Sequence, residues 1–347
     1  MDRGQLFRTI EELVLCHSPS GNEIEVDRYL ESAFRALRLE FHQDAAGNLL
    51  ARLPGRDPSK TLAITAHKDE IGGIVKSINR DGTLSVRKLG GAFPWVYGEG
   101  VVDLLGDKQV VSGVLSFGSR HVSHESPQKA HQEEKPLLWT DVWVDTKRDR
   151  VFLEAAGIRP GTRMVVGKHR KKPFQLGDYI ASYTLDNKAS LAILLALAER
   201  VDSPAINLDL VASSQEEVGG IGAMYYAGRA RPDALIALEI CPKSEEYPVD
   251  VDRNPVLLSQ DGYGLYDESL NRSIAEAGQR VDISLQRAVL SGFGSDASIA
   301  MKSGHVPRAA CLAFPTDNTH GYEIAHLDSI EGCAKVLEEF CRDSSWL

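Results

Sequence analysis

The chain has 347 residues, of which 43% are hydrophobic and 25% are charged, and its formal net charge is −10. This length is enough for a large core divided between two domains, and the composition is that of an ordinary globular protein. The acidic balance argues against a nucleic-acid-binding protein, because such proteins present a basic face to the phosphates. The most apolar segment, which begins at Leu191, is too short to cross a bilayer, so no membrane partner is expected.

The N-terminal segment predicts an amphipathic helix rather than a secretion signal. Leu6, Ile10, Leu13 and Val14 recur at helical spacing, and the segment lacks a basic start followed by an unbroken apolar run. The five cysteines are odd in number and scattered, with no Cys-x-x-Cys pair. This usage favours buried free thiols in a reducing compartment over a disulfide framework, so we expect a cytoplasmic protein.

Three further elements are predicted after the first helix. A second helix runs to about Arg38, with Ser20 or Asn22 as its N-cap. The segment LEFHQDAAGNLLARL alternates in polarity around a turn at residues 46–48 and predicts a pair of strands. The segment TLAITAH, from Thr61, predicts a buried parallel strand with polar residues at its carboxyl end.

The pattern changes from about Gly72 to short alternating strands separated by Gly and Asp-Gly turns, which is typical of a small β-barrel. Within this part, the polar residues 119–135 predict a loop. Strands alternating with helices then return. We therefore predict an α/β fold, a doubly wound mixed sheet with helices on both faces that is interrupted by an inserted small β-barrel-like domain. We assign residues 1–71 and 167–347 to the α/β domain and residues 72–166 to the insertion.

Polar side chains that could do chemistry follow the predicted buried strands. They are His67 and Asp69 in AHKDE, Asp186 in LDNK, Glu216 and Glu217 in QEEVGG, Glu239 in ALEI and His320 in TDNTHGYE. Each alone has a simpler explanation, such as a helix N-cap for an Asp or a packed core residue for a His. Together they place negative charges side by side at one edge of a sheet, which is costly unless a cation compensates them. Two His and three carboxylates suit two divalent metal ions that share one carboxylate, with zinc, cobalt or manganese as the candidates.

Two of the acidic residues could act without binding a metal. Asp69 lies two positions after His67, and this spacing lets a carboxylate orient the imidazole of a metal ligand. Glu216 and Glu217 are neighbours whose side chains diverge, so one can bind a metal while the other acts on a water as a general base.

Five segments of the chain resemble, in their order, the metallo-aminopeptidases that assemble as tetrahedral dodecamers. They are AHKDEIGGIV, LDNKAS, QEEVGGIGA, GFGSDASIAMKSG and PTDNTHGYE. This family includes glutamyl and deblocking aminopeptidases, and some of its members carry endoglucanase names. The resemblance covers almost the whole chain and implies an enzyme that removes N-terminal residues from peptides. It also implies that the insertion is a dimerisation domain and that the chain is a homo-oligomer whose dimers assemble into a dodecamer.

The resemblance also implies a role for each candidate residue. Asp186 would bridge the two metals, His67 and Glu239 would complete one site, Glu217 and His320 would complete the other, Glu216 would be the general base on a metal-bridging water, and Asp69 would orient His67. Asp296, in GFGSDAS, is predicted to be a structural residue near the site.

The chain departs from the family pattern at two places. Glu239 stands where the family usually has Asp, so its carboxylate is moved outward by one methylene. Asn187 and Lys188 follow Asp186 where the family usually has Asp and then Arg or Lys. Neither departure removes a predicted ligand or the predicted base.

Three functions other than an aminopeptidase have some support in the sequence or in the family names. A deacylase of small N-acyl compounds could use the same metals, and the sequence leaves this alternative open. A glycosidase needs two carboxyl groups and no metal ligands, and the chain is only 7% aromatic although sugar clefts favour aromatic platforms. A catalytically inactive assembly protein would be favoured by the loss of a ligand or of Glu216, and neither is lost.

Overall fold

The computed structural model describes residues 1–119, 121–126, 129 and 135–347. The predicted polar loop of residues 119–135 contains every residue that lies outside this description. The chain divides into two compact units, the first formed by Met1–Glu70 with Lys172–Leu347 and the second by Ile71–Lys171.

The first unit begins with two helices and three strands. They are α1 (Arg3–Val14), α2 (Ile24–Ala36), β1 (Phe41–Gln43), β2 (Leu49–Leu53) and β3 (Asp57–His67). The predicted apolar face of α1 is buried, and β1 and β2 form the predicted antiparallel pair.

The predicted N-cap of α2 is wrong. The cap residue is Glu23, which makes no side-chain cap hydrogen bond, and the helix ends at Ala36. Ser20 lies three residues before the cap position, and its hydroxyl donates to the carboxylate of Asp69 at 2.6 Å.

The second unit contains a closed antiparallel barrel in the order β4-β5-β8-β7-β6-β9. Its elements are β4 (Gly72–Ile78), β5 (Leu84–Leu89), α3 (Pro94–Tyr97), β6 (Gly100–Leu105), β7 (Val110–Ser116), β8 (Trp143–Asp145), α4 (Arg150–Ala155), β9 (Arg163–Val166) and α5 (Lys168–Lys171). Exposed and buried residues alternate along β7, as expected of a strand with one face toward a barrel interior. The predicted β-barrel is confirmed.

The chain then returns to the first unit and alternates between strands and helices. The elements are β10 (Phe174–Leu176), β11 (Tyr179–Tyr183), α6 (Leu185–Arg200), β12 (Ile206–Ser213), α7 (Ile221–Ala230), β13 (Ala234–Pro242), β14 (Val256–Asp261), β15 (Gly264–Leu265), α8 (Glu268–Arg280), β16 (Gln286–Val289), α9 (Asp296–Lys302), β17 (Ala309–Asp317), β18 (Tyr322–His326) and α10 (Leu327–Phe340). In the part of the chain that the structure describes, no helix has both the length and the apolar character needed to cross a membrane.

The strands of the first unit form one mixed sheet in the order β1-β2-β12-β3-β13-β17-β18-β11-β10, and β14, β15 and β16 branch from β17. The central strands β12, β3, β13 and β17 are parallel, and the flanking pairs are antiparallel. Successive residues of β3 point to opposite faces of the sheet. Ile64 packs in a cluster with α1, α6 and α10 on one face, and Ala63 packs in a second cluster with α7 and α9 on the other. The predicted doubly wound mixed sheet with helices on both faces is therefore confirmed.

Candidate active site

The candidate residues meet at the carboxyl edge of the central parallel strands. His67 is the last residue of β3 and pairs with Ser213, the last residue of β12. On the other side of β3, Ala237 of β13 pairs with Thr65, so Glu239 lies beside His67 when the register is continued by two residues. The distance from His67 Nε2 to Glu239 Oε1 is 3.9 Å. In open α/β sheets, ligands bind outside the carboxyl ends of the parallel strands, at the point where the strand order reverses.

Asp186 lies between the two predicted histidine ligands. It precedes the regular part of α6, because its own backbone and that of Asn187 are not helical. Its Oδ1 is 3.0 Å from His67 Nε2, and its Oδ2 is 3.4 Å from His320 Nε2. His320 Nε2 is in turn 3.8 Å from Glu217 Oε1. The two oxygens of one carboxylate thus face two different imidazoles.

The five predicted ligands form two overlapping groups. His67, Asp186 and Glu239 can each present one ligand atom within 4.8 Å of the others, and so can Asp186, Glu217 and His320. Imidazole nitrogens and carboxylate oxygens in sets of three suit zinc and related divalent ions. The donor set therefore fits two ions that share Asp186.

Asp69 is fully buried and has a wider role than its sequence spacing indicates. Its Oδ1 lies 3.5 Å from His67 Nδ1, and its backbone carbonyl oxygen is closer to the same nitrogen, at 3.1 Å. Its carboxylate also accepts hydrogen bonds from the backbone N–H groups of Glu216, at 2.9 Å, and Glu217, at 3.2 Å. Asp69 therefore fixes both the imidazole on β3 and the segment that follows β12. The sequence predicted only the first of these contacts.

Glu216 lies in a turn after β12, which begins with Gln215 in the left-handed backbone region (φ 54°). Burial raises the pKa of Glu216 well above its usual range, and the charges of Asp296 and other nearby carboxylates add to this effect although His67 opposes it. Asp296 is buried at the start of α9 and accepts a hydrogen bond from the hydroxyl of Ser213 at 2.5 Å. This contact agrees with its predicted structural role close to the site.

The sequence did not single out Glu323, although this side chain contacts two of the candidate segments. It is buried on β18 and accepts hydrogen bonds from the backbone N–H groups of Asp186 and His320. Burial and the charge of Asp186 raise the pKa of Glu323 to about 8. The sequence does show an acidic residue three positions after the predicted ligand His320. It does not show that this residue is buried, so nothing marked Glu323 as part of the site.

The electrostatics of the site favour the presence of cations. Burial raises the pKa of Glu217 to about 7 and raises that of Glu239 well above its usual range. Burial lowers the pKa of His320, but the hydrogen bond to Asp186 and the charge of Glu217 outweigh it and bring the value to about 10. In the same way, burial opposes the protonation of His67, but the charge of Glu239 and the contact with Asp186 raise its pKa well above the usual value. Carboxylates this close together need positive charge, from protonated histidines or from metal ions.

The chain was compared with known proteins. The pattern of the M42 glutamyl aminopeptidase family matches residues 47–336. The protein YhfE from Bacillus subtilis (strain 168) is 29% identical to this chain in an alignment of 344 positions that covers 94% of each protein.

Two solved structures have the same fold. An aminopeptidase from the archaeon Desulfurococcus kamchatkensis superposes with a TM-score of 0.88 at 24% identity, covering 99% of this chain and 97% of that one. The TET1 peptidase of Pyrococcus horikoshii, which can assemble into a tetrahedron or a large octahedral shell, superposes with a TM-score of 0.86 at 23% identity, covering 98% of this chain and 100% of that one.

The metal-free protein should become less stable as the pH rises from about 5 to about 8. The folded-state pKa of Glu217, about 7, lies above its ordinary value of 4.5, so between these values the folded state binds more protons than the unfolded state. Stability contributed by this proton is fully present below pH 4.5 and is lost as the pH passes through about 7. His320 acts in the same direction between 6.5 and about 10.

Urea unfolding of chelator-treated protein at a series of pH values measures this trend. The variant Glu217→Gln is the control, because it removes one of the titrating groups and should flatten the curve. Stability that is constant or increases over the same range would contradict the electrostatic account.

Proposed function

The chain belongs to the M42 glutamyl aminopeptidase family and is a peptidase, and from this premise we propose that it is a two-metal aminopeptidase that removes N-terminal residues from peptides. The observation that carries the proposal is the position of Asp186. Its two carboxylate oxygens face His67 and His320, so one residue belongs to both groups of potential ligands.

His67, Asp186 and Glu239 would hold one divalent ion, and Asp186, Glu217 and His320 would hold the other. We propose zinc, with cobalt and manganese as alternatives that suit the same nitrogen and oxygen donors. When bound, such a pair polarises the scissile carbonyl, stabilises the negative charge that develops on its oxygen and makes a water molecule more acidic.

Glu216 is the proposed general base. It accepts a proton from the attacking water and delivers the proton to the amine that leaves when the peptide bond breaks. Its position supports this role, because Glu216 is the immediate neighbour of the potential ligand Glu217 and lies close enough to His67 for their charges to interact. The adjacent backbone is held by Asp69, whose carboxylate accepts from the N–H groups of Glu216 and Glu217. Asp69 is therefore proposed to position both the base and the imidazole of His67.

Replacement of the proposed base should abolish most of the activity without removing the metals. We expect Glu216→Gln to lower kcat by about 10²- to 10⁴-fold, the usual contribution of a positioned acid–base group, while the metal content per subunit stays unchanged. Steady-state kinetics and elemental analysis of the same preparation measure the two quantities. Glu276→Gln is the matched control, because Glu276 is exposed on α8 and outside the candidate site. A Glu216→Gln enzyme with near wild-type kcat would rule out this residue as the base.

The substrate class can be tested with paired substrates. We expect chelator-treated enzyme to be inactive, and zinc, cobalt or manganese to restore cleavage of aminoacyl chromogenic amides with a free amino group. The same amides carrying an N-acetyl group are the control. Cleavage of only the N-acetylated compounds would show that the enzyme is a deacylase with the same metals, and cleavage without metal would refute the two-metal proposal.

The barrel-containing insertion is proposed to be a dimerisation domain, with dimers assembling further into a dodecamer. The support is the assembly of the TET1 peptidase of Pyrococcus horikoshii, together with apolar side chains on this unit that are exposed in the single chain. Trp95 is 66% exposed and Val151 is 74% exposed, and large exposed apolar side chains often mark a protein interface. The cysteines, all free thiols, support the proposal of a cytoplasmic location.

The proposed assembly predicts a particle of about 456 kDa, which is twelve times the chain mass of 38.0 kDa. Mass photometry or light scattering coupled to size exclusion measures this mass directly. Trp95→Glu places a charge on the exposed apolar surface of the barrel unit and should shift the distribution to smaller species. A wild-type protein that runs only as a 38.0 kDa monomer would contradict the proposal.

A further inference from the structure

We propose that Glu323 is a positioning residue that joins two of the ligand-bearing segments of the site, those of Asp186 and His320, and that it supports one of the two metal positions more strongly than the other. This inference rests on the proposed two-metal function. It concerns a residue that is neither a predicted ligand nor the predicted base.

The contacts of Glu323 link parts of the chain that are distant in sequence. Its side chain is buried, with 1% exposure of the residue, on β18. Its Oε2 accepts a hydrogen bond from the backbone N–H of Asp186 at 3.0 Å, and its Oε1 accepts from the backbone N–H of His320 at 3.1 Å. The hydroxyl of Thr319 also donates to Oε1, at 3.4 Å. One carboxylate therefore holds the backbone of the shared ligand and the backbone of a second ligand.

Both backbone segments need such support. His320 has a left-handed backbone (φ 62°), which a residue other than glycine keeps only where the surrounding contacts impose it. Asp186 has non-helical backbone angles at the start of α6, where the first N–H groups of a helix have no partner within the helix. Glu323 supplies the acceptor at both places. Its own backbone is fixed in the sheet, because it pairs with Ser182 of β11.

The effect on the two metal positions should differ. His67 and Glu239, which complete one group with Asp186, lie on β3 and β13 and are placed by the central sheet. The other group contains Asp186 and His320, both of which are held by Glu323. Loss of Glu323 therefore removes one support from the first group and two from the second.

The variant Glu323→Gln tests this asymmetry, because glutamine has the same shape but only one oxygen that can accept a hydrogen bond. Chelator-treated wild type and variant are titrated with zinc by calorimetry, and with cobalt while the visible absorption is recorded. We expect wild type to bind two ions per subunit. The variant should bind both ions more weakly, one of them only slightly and the other by about 10- to 100-fold, the usual effect of losing a group that orients a metal ligand.

Activity provides a second measurement. If Glu323 acts only by positioning ligands, the variant should need a higher metal concentration for half-maximal activity, and excess metal should restore much of kcat. Glu323→Asp keeps the charge but shortens the side chain, and it should show the same asymmetric loss. It also replaces Glu323→Gln in the comparison if that variant does not fold.

Asp261→Asn is the matched control for general loss of stability. Asp261 is also a buried carboxylate of the first unit, with 2% exposure, and its Oδ1 accepts from the backbone N–H groups of Tyr263 at 2.8 Å and Gly264 at 3.3 Å. Its Oδ2 accepts from the hydroxyl of Tyr266. None of these partners is a predicted ligand, so the variant should lose stability without changing the ratio of the two metal affinities.

The outcomes separate this inference from the proposed function. If wild type binds two ions and Glu323→Gln binds both with unchanged or equally reduced affinity, Glu323 does not have the proposed role and the two-metal function stands. The same asymmetric loss in Asp261→Asn would show that the effect is a general one and would also overturn the inference. If wild type binds fewer than two ions, both the proposed function and the inference are wrong.

Discussion

The burial of several carboxylates at the carboxyl edge of β12, β3 and β13 is the constraint on which the rest of the site depends. Burial alone raises the pKa of these groups, so their charged forms need nearby positive charge. Two buried lysines lie within two residues of a candidate ligand in sequence but donate hydrogen bonds to other groups. Lys68 donates to Asp27 and to the carbonyl oxygen of Gly47, and Lys188 donates to the hydroxyl of Ser18. The strand ends therefore keep an excess of negative charge, which is the condition for binding divalent cations.

The ligands are positioned largely through their backbone. Asp69 accepts from the N–H groups of the segment that carries Glu217, and Glu323 accepts from those of Asp186 and His320. Left-handed backbone conformations occur in or beside each of these segments, at Thr184, Gln215 and His320. Each such residue requires contacts that impose its conformation. Asp69 and Glu323, the buried carboxylates outside the two groups of potential ligands, accept hydrogen bonds at or beside these positions, so acidic residues of the site also shape its loops.

The sequence was informative where function coincides with a local pattern. His67 could be singled out because it ends an apolar run in a buried strand, and Glu239 because it interrupts one. The alternation of strands with helices indicated a doubly wound sheet. The contacts of Asp69 with the N–H groups of Glu216 and Glu217 could not be predicted, because they join residues about 150 positions apart. The same contact network includes Ser20, one of the two predicted caps of α2, whose hydroxyl donates to Asp69. Glu323 was missed for a similar reason, because both of its backbone partners are set by tertiary folding.

Glu239 shows how the sheet can accommodate a longer side chain at a candidate ligand position. The family that the chain resembles usually has Asp at this position, and the longer side chain of Glu239 still places an oxygen within 4.8 Å of the potential ligand atoms of His67 and Asp186. Its partner in the neighbouring strand β17 is Ala313, so a small residue lies next to the extra methylene. The register between β13 and β3 fixes the backbone of Glu239 independently of the loops that carry Glu217 and His320. The candidate ligand whose length differs from the family pattern therefore belongs to the half of the site that the sheet supports. Glu217 and His320 lie on loops instead, and their backbone is held by the hydrogen bonds that their N–H groups donate to Asp69 and Glu323.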